Sequence, residues 1–146
     1  GHSSHHPAMS FLGPSVGSAA IAAGIALPAL AKAKQKAQMI SCVNNLKQIG
    51  LAARIYANDH GDVLPSDFAS MKSELNTPKI LICPGISSKA GGKDWSTFNC
   101  AEASYEIVSP GAKTSDPQKV FVRCPIHGNV GLVDGSAQQR PRTQNQ

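Results

Sequence analysis

Four cysteines and one histidine carry most of the chemistry open to this chain: Cys42, Cys83, Cys100, Cys124 and, just beyond the last, His127. An even number of well-separated cysteines in 146 residues fits two disulfides and an oxidising compartment. The same residues admit a second chemistry. Cys124-Pro125-Ile126-His127 could supply two metal ligands from one turn, and Cys83 and Cys100 would complete a zinc site of three thiolates and one imidazole. Those two cysteines come singly from separate loops rather than from a paired knuckle. A nucleophile and base made of Cys124 and His127 is a third reading. It would need an orienting group and an oxyanion site, and no signature for either surrounds the pair, so the chain reads as a non-enzyme without a cofactor. Asp59, Asp62, Asp116 and Asp134 lack the regular oxygen spacing of a calcium loop and read as turn and cap residues.

The element that must carry Cys42 runs from Ser18 to Gly61. Its first part, to residue 38, is rich in alanine and glycine and places small residues at helical spacing. Ala20, Gly24, Leu27 and Pro28 mark a face on which helices can approach closely. Proline lacks a backbone donor and clashes with the preceding turn, so a kink or local melting is expected at Pro28. Beyond it, Met39, Cys42, Leu46, Ile49, Ala53 and Tyr56 step by three and four, which is one buried stripe, with Lys36, Asn44, Lys47 and Arg54 opposite. A half-apolar helix must lay that stripe on something, and the rest of the chain is the candidate. Gly61 suits the left-handed residue that ends a helix.

The remaining chain predicts a small body spanning 39–139. Ser66 should cap a short helix bearing Phe68, Met71 and Leu75. Ser104–Val108 and Val120–Cys124 are β-branched and aromatic and flank a Pro/Gly/Asp loop, which reads as an antiparallel pair. Asp134-Gly135 between two short apolar runs is a hairpin signal. If Val108 sits opposite Val120, Ser104 falls opposite Cys124 and Cys100 lies just past that end. A Cys100–Cys124 bridge then needs little movement, and Cys42 would join Cys83 by elimination, one of three possible connectivities.

A formal charge of +5 would favour an acidic partner if it were gathered on one surface. Lys32, Lys34, Lys36, Lys47 and Arg54 share the helix, the other basic residues are scattered, and few aromatics are interleaved, so no specific nucleic acid is expected. The uncharged run 11–31 is long enough to cross a bilayer core of about 30 Å, yet its alanine content suits packing on protein equally well. Residues 1–17, with His2, His5 and His6, read as a leader or tag, and 140–146 as a loose tail.

Three runs in the helical region, Leu-Pro-Ala-Leu-Ala-Lys-Ala-Lys at 27–34, Cys-Val-Asn-Asn-Leu-Lys-Gln-Ile-Gly at 42–50 and Tyr-Ala-Asn-Asp at 56–59, resemble the N-terminal helix region of bacterial type IV pilin-like proteins and type II secretion pseudopilins. Residues 124–136 are similar to the C-terminal His…Asp-Gly signature of a branch of that family. The resemblance implies an α+β, pilin-like fold, with a long N-terminal helix packed on a small antiparallel sheet. It also implies a structural subunit of a pilus or pseudopilus filament. Its partners would be copies of itself or related subunits, with the inner membrane holding the helix before assembly. The body would then lie in the periplasm or on an extracellular filament. The alternative is a membrane-tethered extracytoplasmic binding module holding zinc through Cys83, Cys100, Cys124 and His127.

Overall fold

A computed structural model describes residues 1, 12–86 and 94–140, with side chains described from residue 23 onward. Helix α1 spans Leu12–Asp59 and is unbroken across Pro28, so the local melting expected there does not occur. It begins earlier than the sequence pattern suggests, taking in residues 12–17. Residues 2–11 of the expected leader, His2, His5 and His6 included, lie outside the described residues, as do the Ala20 side chain and the tail beyond 140. The chain divides into two compact units, Gly1–Lys36 and Ala37–Gln146. Among the described residues no helix is long and apolar enough to cross a membrane.

In the first unit the side chains of Ile25, Leu27 and Leu30 are about two-thirds exposed, at 69%, 69% and 67%. Gly24 and Pro28 are exposed with them.

In the second unit α1 is the spine of the core. Cys42, Leu46, Ile49 and Ala53 are fully buried and Met39 and Tyr56 are half-buried, whereas Asn44, Lys47 and Arg54 face solvent, as does Lys36 at the end of the first unit. The helix stops where the Asp62 N–H reaches back to the Ala57 carbonyl at 2.9 Å, a closure that needs Gly61 in the left-handed region at φ +67°. The turn after it is not the serine-capped α-helix expected from the spacing. It is a 3-10 turn at Ala69–Met71, and Asp67, not Ser66, accepts the Ser70 N–H at 2.8 Å. A carboxylate three residues before the donor reaches it as well as a hydroxyl would.

Among the described residues four short strands follow, β1 (Glu106–Ile107), β2 (Val120–Arg123), β3 (Val130–Leu132) and β4 (Ala137–Gln138), in the order β1-β2-β3-β4 with every neighbour antiparallel. The architecture is therefore α+β: one long helix with a small antiparallel meander. β2 carries an irregularity between Val120 and Val122, and β3 is buried along its whole length. α1 comes close to the sheet because glycine sits on both sides of the contact. A Cβ at Gly131 would lie 3.6 Å from the Leu46 carbonyl oxygen, and one at Gly50 would lie 2.9 Å from the Gly135 Cα. The β3–β4 hairpin turns at Val133–Gly135, where Gly135 (φ +89°) donates its N–H to the Leu132 carbonyl at 3.0 Å.

Candidate metal centre

Three segments far apart in sequence converge in the second unit. Cys42 points inward from α1, Cys83 leaves the 3-10 helix Pro78–Leu81, and Cys124 with His127 occupies the loop between β2 and β3. Local chemistry explains why each arrives. Thr77 caps the 3-10 helix by accepting the Lys79 N–H, Pro78 starts it, and Ile82 ends it in extended backbone, with Cys83 next. Buried Ser104 then accepts the Cys83 N–H at 3.0 Å and donates its own N–H to the Leu81 carbonyl at 2.8 Å. Asn45, one helical turn after Cys42, donates to both the Ile82 carbonyl (3.3 Å) and the Tyr105 hydroxyl (3.0 Å). That amide pins the Cys83 segment against the turn of α1 that bears Cys42.

The β2–β3 loop is closed by two bonds, Cys124 N–H to the Asn129 carbonyl and Gly128 N–H to the Cys124 carbonyl, each 2.8 Å, with Gly128 at φ +77°. This folds His127 back over Cys124, whose sulfur takes the His127 N–H at 3.4 Å. The opposing Cys83-Pro84-Gly85-Ile86 turn closes through the Ile86 N–H to the Cys83 carbonyl at 3.0 Å. Its glycine makes room for the imidazole, since a Cβ at Gly85 would lie 2.8 Å from His127 Cε1.

The result is a tight set of one nitrogen and three sulfurs, all within 4.8 Å of one another. His127 Nδ1 lies 3.1 Å from Cys83 Sγ and 3.7 Å from Cys124 Sγ, and the two sulfurs are 3.6 Å apart. The three cysteines are fully buried and His127 is half-buried. Packed thiols perturb one another. Hydrogen bonds from Cys42 and Cys83 hold the Cys124 thiol far below its ordinary value. The interaction with Cys124, reinforced by burial, pushes Cys83 and Cys42 up. Burial likewise raises the neighbouring Tyr105 hydroxyl.

The expected disulfides are not formed in this structure. All four cysteines are free thiols, and Cys42 and Cys83, though brought together, share their site with Cys124. Cys100 is not part of the group. It opens the 3-10 helix Cys100–Glu102 and is half-buried in a depression lined by Phe68 and Ile107. The physical cause is a strand register one residue from the expected one: Ile107 pairs with Val122, so Val108 does not face Val120. A one-residue slip turns every side chain of a strand to the other face, and the Cys100–Cys124 geometry is lost with it. Of the alternative zinc set read from the sequence, the structure brings Cys83, Cys124 and His127 together, with Cys42 standing where that set had Cys100. One sequence signal pointed to this pairing of turns: both loop cysteines are followed by proline, at Pro84 and Pro125.

The remaining predicted positions are dispersed. Asp59 ends α1, Asp62 follows its cap with φ +62°, Asp116 lies in a turn, and Asp134 accepts the Ser136 N–H at 2.8 Å in the β3–β4 hairpin. Comparison of the chain with protein families, with curated proteins and with solved structures finds no match.

Proposed function

We propose that the chain is a non-enzymatic structural subunit of a type IV pilin-like filament, a pilus or pseudopilus, and that it assembles through the first part of α1. The observation that carries this reading is the exposure of Ile25, Leu27 and Leu30 on one continuous helix. Three large apolar side chains left in solvent within six residues are costly unless a partner covers them. Gly24 beside them has nothing within 4 Å of where a Cβ would stand, so another helix backbone can come close. The helix also carries no acidic residue before Asp59, so copies packed side by side meet no buried carboxylate. The resemblance of residues 25–65 and 124–136 to pilin-like proteins supplies the kind of assembly. In this reading α1 is held at the inner membrane before assembly and among copies of itself afterwards, and the folded unit lies in the periplasm or on an extracellular filament.

Electron microscopy and sedimentation of the full chain test it. Filaments or helix-mediated oligomers are expected, and Leu27→Glu should disperse them by placing a charge in the helix contact. A full chain that stays monomeric in detergent-free buffer at high concentration contradicts the reading.

A further inference from the structure

The cluster of Cys42, Cys83, Cys124 and His127 is built as a cation site in three independent respects. The first is metric. A tetrahedral zinc with bonds of about 2.3 Å to sulfur and about 2.0–2.1 Å to nitrogen sets its donors about 3.8 Å (S···S) and about 3.6 Å (S···N) apart. The 3.6 Å between Cys83 and Cys124 and the 3.7 Å from Cys124 to His127 lie at those values, and 3.1 Å from Cys83 to His127 is somewhat short. A disulfide would instead need about 2.0 Å between sulfurs. Cys42, within 4.8 Å of every other donor, closes the fourth corner with a shift of about 1 Å.

The second is the backbone. Cys124 receives a main-chain N–H from its own turn, that of His127 at 3.4 Å. Such a fixed dipole favours sulfur as thiolate and holds it in one direction. The third is the buried surround. Asn129 is fully buried on the same loop and has its amide nitrogen 3.1 Å from Met39 Sδ. Its Oδ1 is the one buried side-chain polar atom left without a partner among the described residues. A core that satisfies its other buried polar groups and then gathers three sulfurs and an imidazole beside an orphan amide is organised around something other than apolar packing.

We propose that Cys42, Cys83, Cys124 and His127 bind one zinc ion that ties α1, the segment before β1 and the β2–β3 loop into a single body. Soft thiolates select zinc over magnesium or calcium, and a closed donor set of four suits a structural ion with no open position for catalysis. Binding converts the three thiols to thiolates and releases their protons to solvent, leaving a site of net charge −1. Sulfurs held by zinc cannot pair with one another, so the folded unit keeps its form in an oxidising compartment without disulfides.

The test is elemental analysis and cobalt substitution of the full chain, purified reduced and without chelator. One zinc per chain is expected, and cobalt should give the visible bands of a tetrahedral site with thiolate charge transfer. Cys100→Ser should keep the metal and Cys42→Ser should lose it. Should Cys42→Ser fail to fold, His127→Cys decides: it should still hold one metal, with stronger thiolate charge transfer from a fourth sulfur. The proposal is overturned by a reduced, zinc-supplied chain that binds no metal or takes iron in preference, by an octahedral cobalt spectrum, or by loss of metal in Cys100→Ser with retention in Cys42→Ser. None of these results bears on filament assembly, which is read from oligomeric state.

Discussion

Replacing Gly50 by alanine puts two opposing effects on one atom. In a helix interior alanine is better than glycine by about 0.8–1.0 kcal/mol, and on an open face Gly50→Ala would stabilise. Here the new methyl would stand 2.9 Å from Gly135 Cα and 3.0 Å from Gly135 O. Neither side can swing aside, because both contacts are backbone. Gly135 is held at φ +89° by its bond to the Leu132 carbonyl, and Arg54 Nη1 lies 3.4 Å from the Val133 carbonyl of the same turn. Overpacking of this kind costs about 1–3 kcal/mol, and a contact with backbone belongs at the upper end. The net is a loss of about 2 kcal/mol, which at about 4 °C per kcal/mol for a unit of this size lowers the unfolding midpoint by about 8 °C. The assay is urea and thermal unfolding followed by circular dichroism, in reducing buffer with zinc. Gly24→Ala is the control. With nothing of its own chain within 4 Å of its Cβ position, it should not lower the unfolding midpoint of the second unit, although it sits on the proposed assembly face. A Gly50→Ala protein as stable as the parent, or more so, would refute the close approach of helix and hairpin.

Asn45→Ala should destabilise by about 1–3 kcal/mol, because it strands the buried Tyr105 hydroxyl and the Ile82 carbonyl that the amide joins to α1. In a double-mutant cycle followed by urea unfolding, Tyr105→Phe added to Asn45→Ala should cost less than the sum of the two, and strict additivity would sink that account. Hydrogen bonds from Ser136 hold the Asp134 carboxyl below its ordinary value. A depressed folded value contributes stability that is present above the ordinary carboxylate pKa and lost as pH falls through the folded value. The stability difference between parent and Asp134→Asn should therefore shrink on acidification, and a difference constant from neutral to acid pH would show that the bonds carry no weight.

Much of this protein is legible in its sequence because the signals are local. The step of three and four from Met39 to Tyr56 decides which side of α1 is buried, and Asp134-Gly135 marks the β3–β4 turn, since both depend only on backbone periods and turn conformations. Cys124-Pro125-Ile126-His127 reads as two donors from one turn for the same reason. What local spacing does not contain is the β1–β2 register and the place where the Cys83 turn meets the helix. A sheet period of two makes a one-residue shift between Val108–Val120 and the actual Ile107–Val122 pairing reverse every neighbour. That shift moves Cys100 away, while the Asn45 bridge, 37 residues from Ile82 and 60 from Tyr105, brings Cys42 in. The residue types alone determined that three cysteines and a histidine could meet. Only the tertiary packing of α1 on the two Cys-Pro turns decided that the third sulfur is that of Cys42.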